Sequence, residues 1–218
     1  MKLAQEILEF IYYITAGPVF VFFAYKGLEH IKAAKENLKI SKESIKTQSL
    51  RDSYRLAGEQ CKYFAEDIVP LAKKFFKELE IQDCKFLEKF QSSIDKDKIK
   101  FSLLDGQTVT NQDLEILNNS EYLTDLINKL EGFSMYFCSG VANEKVGFIT
   151  AGRGYCGLVK DLLPIVIPRI KEGYYKNISM LFINWQNKVK TENIKMEQKR
   201  LQKDLENTSS INIATIGQ

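Results

Sequence analysis

The chain has 218 residues, with 31 basic and 28 acidic side chains and a net charge of +3. That balance is too mild for a chain that grips a polyanion along its length, so nucleic acid is not expected as a partner. Four prolines and twelve glycines are few for a turn-rich β protein of this size.

The first element is an uncharged run of sixteen residues, Phe10 to Tyr25. Extended back to Ile7 it holds nineteen residues and one charge, Glu9. Nineteen helical residues rise about 28 Å, close to the ~30 Å hydrocarbon core of a bilayer. The expectation over residues 1–26 is therefore one transmembrane anchor. A buried core helix is the rival, because the uncharged run is shorter than the ~18 residues of an ordinary span. Glu6, Glu9 and an exit without a small-x-small site disfavour a signal peptide. A helix lying flat in the interface would need a polar face that Phe10–Tyr25 lacks. Phe10, Tyr12, Tyr13 and Tyr25 suit aromatic belts at both interfaces. Lys2 precedes the run, whereas Lys26, Lys32, Lys35, Lys39, Lys42 and Lys46 follow it. That asymmetry predicts a single-pass protein of the inner (plasma) membrane with its C-terminal domain in the cytosol. Gly17-Pro18 predicts a kink in mid-span.

Residues 27–49 read as a helical stalk. Ile31, Leu38 and Ile45 recur every seven residues, with Ala34, Ser41 and Gln48 between them. This is a short coiled-coil seam and a candidate self-association face; the alternative is a stripe that packs on its own domain. A homo-oligomer is expected, with the lipid bilayer and an unidentified protein as further partners.

Residues 50–207 read as a cytosolic helical domain. Leu50, Tyr54, Ala57, Cys61, Phe64, Ile68, Leu71, Phe75 and Leu79 form an amphipathic stripe at spacings of three and four. Pro70 should kink that helix, or restart it near Asp67. Residues 81–111 are irregular, with a helical turn at Lys85–Phe90 and either a small hairpin or an ordered loop over Lys98–Thr110, around Asp105-Gly106. A helix follows from about Gln112. The next runs from Glu121 to Phe137, capped by Asn119 or Ser120 and ended by Ser139-Gly140. Its core face is Leu123, Leu126, Ile127, Leu130, Phe133 and Phe137. After a glycine-rich stretch, Pro164 and Pro168 punctuate the start of a long helix. Its stripe is Ile170, Tyr174, Ile178, Leu181, Trp185 and Val189, extended through Met196, Leu201 and Leu205. Residues 208–218 are expected to be disordered. The fold class is thus all-α: one transmembrane helix, a helical stalk and a helical bundle that has room for one small hairpin.

Chemistry-bearing motifs are scarce. Cys61, Cys84, Cys138 and Cys156 form no C-x-x-C pair and have no histidine beside them, so no metal site is expected. His30 is the only histidine and lies just past the uncharged run, which disfavours Ser-His-Asp or Cys-His catalysis. Gly152-Arg-Gly-Tyr-Cys-Gly157 matches the glycine spacing of a dinucleotide-binding turn, after a strand-like stretch at Lys145–Thr150. The βαβ context is missing, which favours a glycine-rich turn between helices, and no cofactor is expected. Lys188, Lys190, Lys195, Lys199, Arg200 and Lys203 form a basic run that reads either as a solvated helix face or as an anion-binding one.

Leu117-Asn-Asn-Ser-Glu121, Gly132-Phe133, Ile167-Pro-Arg-Ile170 and Phe182-Ile-Asn-Trp185 together resemble a family of small bacterial single-span membrane proteins with a helical cytosolic domain of unknown function. The resemblance implies a membrane anchor, a lysine-rich stalk and an all-helical domain, and carries no activity. It marks Asn118, Glu121, Gly132, Arg169 and Trp185 as structural positions, with Asn118 and Glu121 tied at a helix start. The expected function is that of a membrane-anchored helical scaffold, sensor or effector, not an enzyme. It would act by self-association or partner recruitment, as in bacterial stress or antiviral defence. The alternatives are a nucleotide-binding enzyme using Gly152–Gly157, or an anionic-lipid or nucleic-acid binder using the basic C-terminal helix.

Overall fold

The computed structural model describes residues 2–95 and 98–209; for residues 14–18, 95 and 207–209 it describes the backbone only. Six α-helices and one two-stranded sheet are found among the described residues: α1 Lys2–Tyr63, α2 Val69–Ile81, β1 Phe90–Asp95, β2 Lys98–Leu103, α3 Asn111–Asn118, α4 Leu123–Cys138, α5 Glu144–Lys171 and α6 Lys176–Ser209. The chain divides into two compact units, Met1–Asp52 and Ser53–Gln218. The tail expected to be disordered lies, from Ser210, outside the described residues.

The transmembrane expectation is corrected. Among the described residues no helix is long and apolar enough to cross a membrane. The side chains of residues 14–18, in the middle of the expected span, lie outside the described residues. The physical reason is length. Sixteen uncharged residues rise about 24 Å, short of a ~30 Å core. Glu9 and Lys26 close the run at its two ends, and Tyr12, Tyr13, Thr15 and Tyr25 dilute its hydropathy. The single-pass placement in the inner membrane, with a cytosolic C-terminal domain, rested on that span and falls with it. Instead, α1 is one helix of 62 residues that continues through Pro18.

In the second unit the stripe of α1 and α2 lines the core: Ala57, Cys61, Phe64, Ile68, Phe75 and Leu79 are buried. Pro70 neither breaks nor restarts the helix. Five residues before it, Phe64–Ile68, form a π turn in which the Val69 N–H reaches the Phe64 carbonyl. The wider turn takes up the missing proline donor, and Pro70 sits in the first turn of α2, where no N–H is needed.

α4 buries Leu123, Leu126, Ile127, Leu130, Phe133 and Phe137, the face read from its spacing. Ser120 Oγ accepts from the backbone N–H groups of Tyr122 and Leu123, and Gly140, at φ 74°, closes the other end. α3 starts on a capping box: Thr110 Oγ1 accepts from Asp113 N, and Asp113 Oδ2 accepts from Thr110 N.

Three sequence expectations fail locally. The hairpin pairs Phe90–Asp95 with Lys98–Leu103 and is not centred on Asp105-Gly106; residues 96–97 lie outside the described residues. The long C-terminal helix is two helices, because Gly173 (φ 99°) and Tyr175 (φ 53°) turn the chain between α5 and α6. The glycine-rich stretch is neither strand nor turn: residues 144–171, Gly152–Gly157 included, are helical. Two of its glycines serve packing. A Cβ on Gly147 would lie 2.2 Å from Phe137 Cε1, and one on Gly152 would lie 2.6 Å from Phe148 Cδ2.

Gly147→Ala is therefore expected to destabilise by about 1–2 kcal/mol, because overpacking outweighs the helix-propensity gain. The Phe137 ring cannot retreat, since Phe133 and Trp185 flank it at 4.9 and 5.3 Å. At Gly157 an added Cβ meets no atom within 4 Å, and Gly157→Ala should stabilise by about 0.5–1 kcal/mol. Urea unfolding checks both; equal shifts of the same sign would show that Phe137 does not require a glycine at 147.

Candidate functional site

The candidate self-association residues lie on α1 within the first unit. Ile31, Leu38 and Ile45 are 55, 61 and 64% exposed. In the uncharged run Phe20, Val21, Phe22 and Phe23 are also exposed, by 58% or more. Among the described side chains of the first unit this is a large exposed apolar surface.

The resemblance-derived positions lie in the second unit. Asn118 ends α3, and Glu121 follows in the connection to α4. Their region is tied to α2: Ser120 Oγ donates to Glu78 Oε2, and the Glu121 backbone N–H reaches Glu78 Oε1 at 3.3 Å. Gly132 is on α4, with open space where a Cβ would be. Arg169 is near the end of α5, where its carbonyl accepts from Tyr174 N. Trp185 is fully buried at the centre of an aromatic cluster. The rings of Tyr155 and Phe137 lie 5.2 and 5.3 Å from it, those of Phe133 and Phe148 at 6.1 Å.

Two carboxylates that sequence reasoning passed over organise this cluster. Glu144, at the N-terminus of α5, accepts from Trp185 Nε1 at 2.7 Å, from Lys188 Nζ at 2.5 Å and from Asn184 Nδ2 at 3.2 Å. Glu131 on α4 accepts from the backbone N–H groups of Asn177 and Ile178 and from Asn177 Nδ2, which caps the start of α6. The Asn143-Glu144 pair after Gly140 was the available signal, a helix-start signature. Beneath them, the Tyr155 hydroxyl lies 2.7 Å from Ser134 Oγ and 3.2 Å from the Ile178 carbonyl. Burial pushes its phenol well above the usual range.

All four cysteines are free. Burial raises the thiols of Cys61, Cys138 and Cys156, the last to about 12, which suits apolar packing rather than nucleophilic chemistry. Among the described residues no group of three His, Cys, Asp or Glu side chains could hold a metal ion.

A concavity of about 800 Å³ lies between the end of α2, the hairpin and the middle of α5. Its apolar wall includes Phe76, Leu87, Phe90, Phe101 and Pro164, with the Phe90 and Phe101 rings stacked at 4.6 Å. Its polar rim carries Glu80, Asp83, Glu88, Asp161, Lys85 and Lys160. Gly152–Gly157 does not border it and forms no loop that could cradle a phosphate. Comparison of the chain with protein-family models, with curated proteins and with solved structures finds no match.

Proposed function

We propose that this protein is a helical assembly protein in which residues 2–52 of α1 pair with the same helix of further copies. The observation that supports this reading is the exposed apolar surface of the first unit. A helix with so much exposed apolar surface is marginal in water, so a partner surface should complete it.

The sequence along α1 matches a second copy. Leu3, Ile7, Phe10, Val21, Leu28 and Ile31 lie on one stripe at alternating spacings of four and three, and Ile14, Gly17 and Ala24 fill its remaining positions. Leu38 and Ile45 carry one edge of the stripe onward, opposite Lys35 and Lys42. A seven-residue repeat of this kind is self-complementary, and lysines at seam positions fix register and copy number at a cost in stability. The basic run on α6 is a second possible contact surface, for it is exposed from Lys190 to Lys203, but no anionic partner is indicated by its geometry.

Light scattering on the full chain tests this. The chain should be a dimer or larger at micromolar concentration. Leu28→Lys combined with Leu38→Lys should weaken assembly at least about tenfold, that is by 1.4 kcal/mol or more. A wild-type monomer, a monomer that floats with neutral lipid vesicles, or an assembly indifferent to both lysines would refute the proposal.

A further inference from the structure

The concavity beside the hairpin belongs to the second unit, and its chemistry is one-sided. Three half-buried aromatic rings, Phe76, Phe90 and Phe101, line it. Ring faces attract cations. Its rim has four carboxylates against two ammonium groups, and Lys85 already pairs with Asp83 at 3.4 Å. Among the described residues Glu80 and Glu88 have no ion-pair partner. Burial lifts the Asp161 carboxyl, opposed by the neighbouring Lys160, so a further positive charge there would be favoured. Rings and free carboxylates therefore select the same sign of charge, and a volume of about 800 Å³ admits a small organic molecule.

We propose that this cavity binds a small organic cation, an aromatic or branched hydrocarbon body carrying one ammonium group, with the body against Phe76, Phe90 and Phe101 and the ammonium among Glu80, Glu88 and Asp161. An anion of the same shape would meet unpaired carboxylates and be rejected.

Cys84 lines this cavity and is half-buried, whereas the half-buried Cys138 lines a different one, beside Glu144. The two thiols locate a bound probe. Tryptamine, its neutral analogue tryptophol and its anionic analogue indolepropionate are titrated against the full chain by calorimetry. Iodoacetamide labelling at each cysteine is followed by peptide mass spectrometry. Tryptamine should bind at least about tenfold more tightly than the other two and slow labelling at Cys84 but not at Cys138. In the triple variant Glu80→Gln, Glu88→Gln, Asp161→Asn, tryptamine and tryptophol should bind alike. All three positions are exposed, so the fold should persist, and circular dichroism checks it. The proposal is overturned if tryptamine fails to bind by about 1 mM, if the three analogues bind equally, if Cys84 is not protected, or if the folded triple variant keeps the preference. Should the variant not fold, protection of Cys84 in the wild-type chain decides.

Discussion

Replacing Trp185 by alanine is expected to cost about 3–5 kcal/mol, the usual range for removing a fully buried large aromatic side chain. Its ring is fully buried and touches rings from α4 and α5, so its loss opens a cavity where three helices meet. That cavity cannot readily collapse. Phe133 is held by Phe64 and Tyr155, and Tyr155 is fixed by its hydrogen bonds to Ser134 and Ile178. Against a typical stability of about 5–15 kcal/mol the variant should be barely folded, with a thermal midpoint lower by on the order of 10 °C. Trp185→Phe keeps a ring but gives up the Nε1 bond to Glu144, which still accepts from Lys188 and Asn184. It should lose less, because Glu144 is not left unsatisfied. Circular dichroism melts of both variants measure this. A Trp185→Ala midpoint within a degree or two of wild type would mean that the aromatic cluster does not hold α4, α5 and α6 together.

The second large effect is expected at Asp113. The carboxylate is buried and receives Lys89 Nζ at 2.5 Å, Thr110 Oγ1 at 2.7 Å and Thr110 N at 2.8 Å. Burial alone would raise its pKa. The hydrogen bonds from Lys89 and Thr110, together with the Lys89 charge, outweigh burial and hold it at about 2. A carboxyl whose pKa is lower folded than unfolded binds fewer protons in the native state. It therefore stabilises the fold above its unfolded pKa of about 3.9, and that contribution drains away as pH falls towards 2. The amount at neutral pH is on the order of 2 kcal/mol. Asp113→Ala removes this term, strands the half-buried Lys89 ammonium and abolishes the capping box, for a total of roughly 3 kcal/mol. Urea midpoints from pH 7 down to 2 should converge for wild type and Asp113→Ala at the acid end. Parallel curves over that range would show that the carboxylate is not the titrating group.

How much of this was legible in the sequence differs by element. The stripe from Ala57 to Leu79 and the face of α4 could be read directly, because three-four spacing encodes a buried face whatever it packs against. α5 could not. Gly147, Gly152, Gly154 and Gly157 are poor helix formers, and local propensity argues for a loop. At Gly147 and Gly152 what overrides it is the room they leave for Phe137 and Phe148, a tertiary fact absent from the local sequence. The hairpin was misplaced for a similar reason. Asp105-Gly106 carries the stronger turn signal, yet the pairing that forms brings Ile94 opposite Ile99 and stacks Phe90 on Phe101. Of the candidate positions, Trp185 was read only from a resemblance and an apolar spacing. Glu131 and Glu144 looked like solvated helix charges, since a carboxylate that caps another helix is indistinguishable in sequence from one that faces water. The apolar run of α1 was visible at once. Its sixteen uncharged residues were read as a lipid-facing span, although the same composition would also suit a seam between helices.

The chain holds a single tryptophan, and it sits in the second unit. Its fluorescence therefore reports on only one of the two units. Emission from Trp185 follows the joint between α5 and α6, where Tyr155, Phe137 and the Glu144 carboxylate surround the indole. It is blind to residues 2–52. Far-ultraviolet dichroism registers both units, because α1 runs as helix from Lys2 to Tyr63 and so includes residues 2–52. One solution of this protein thus carries two independent optical gauges. Where they trace different unfolding curves, a two-state analysis of either one misstates the stability of the whole, and the gap between them measures how loosely the order of the first unit is bound to that of the second.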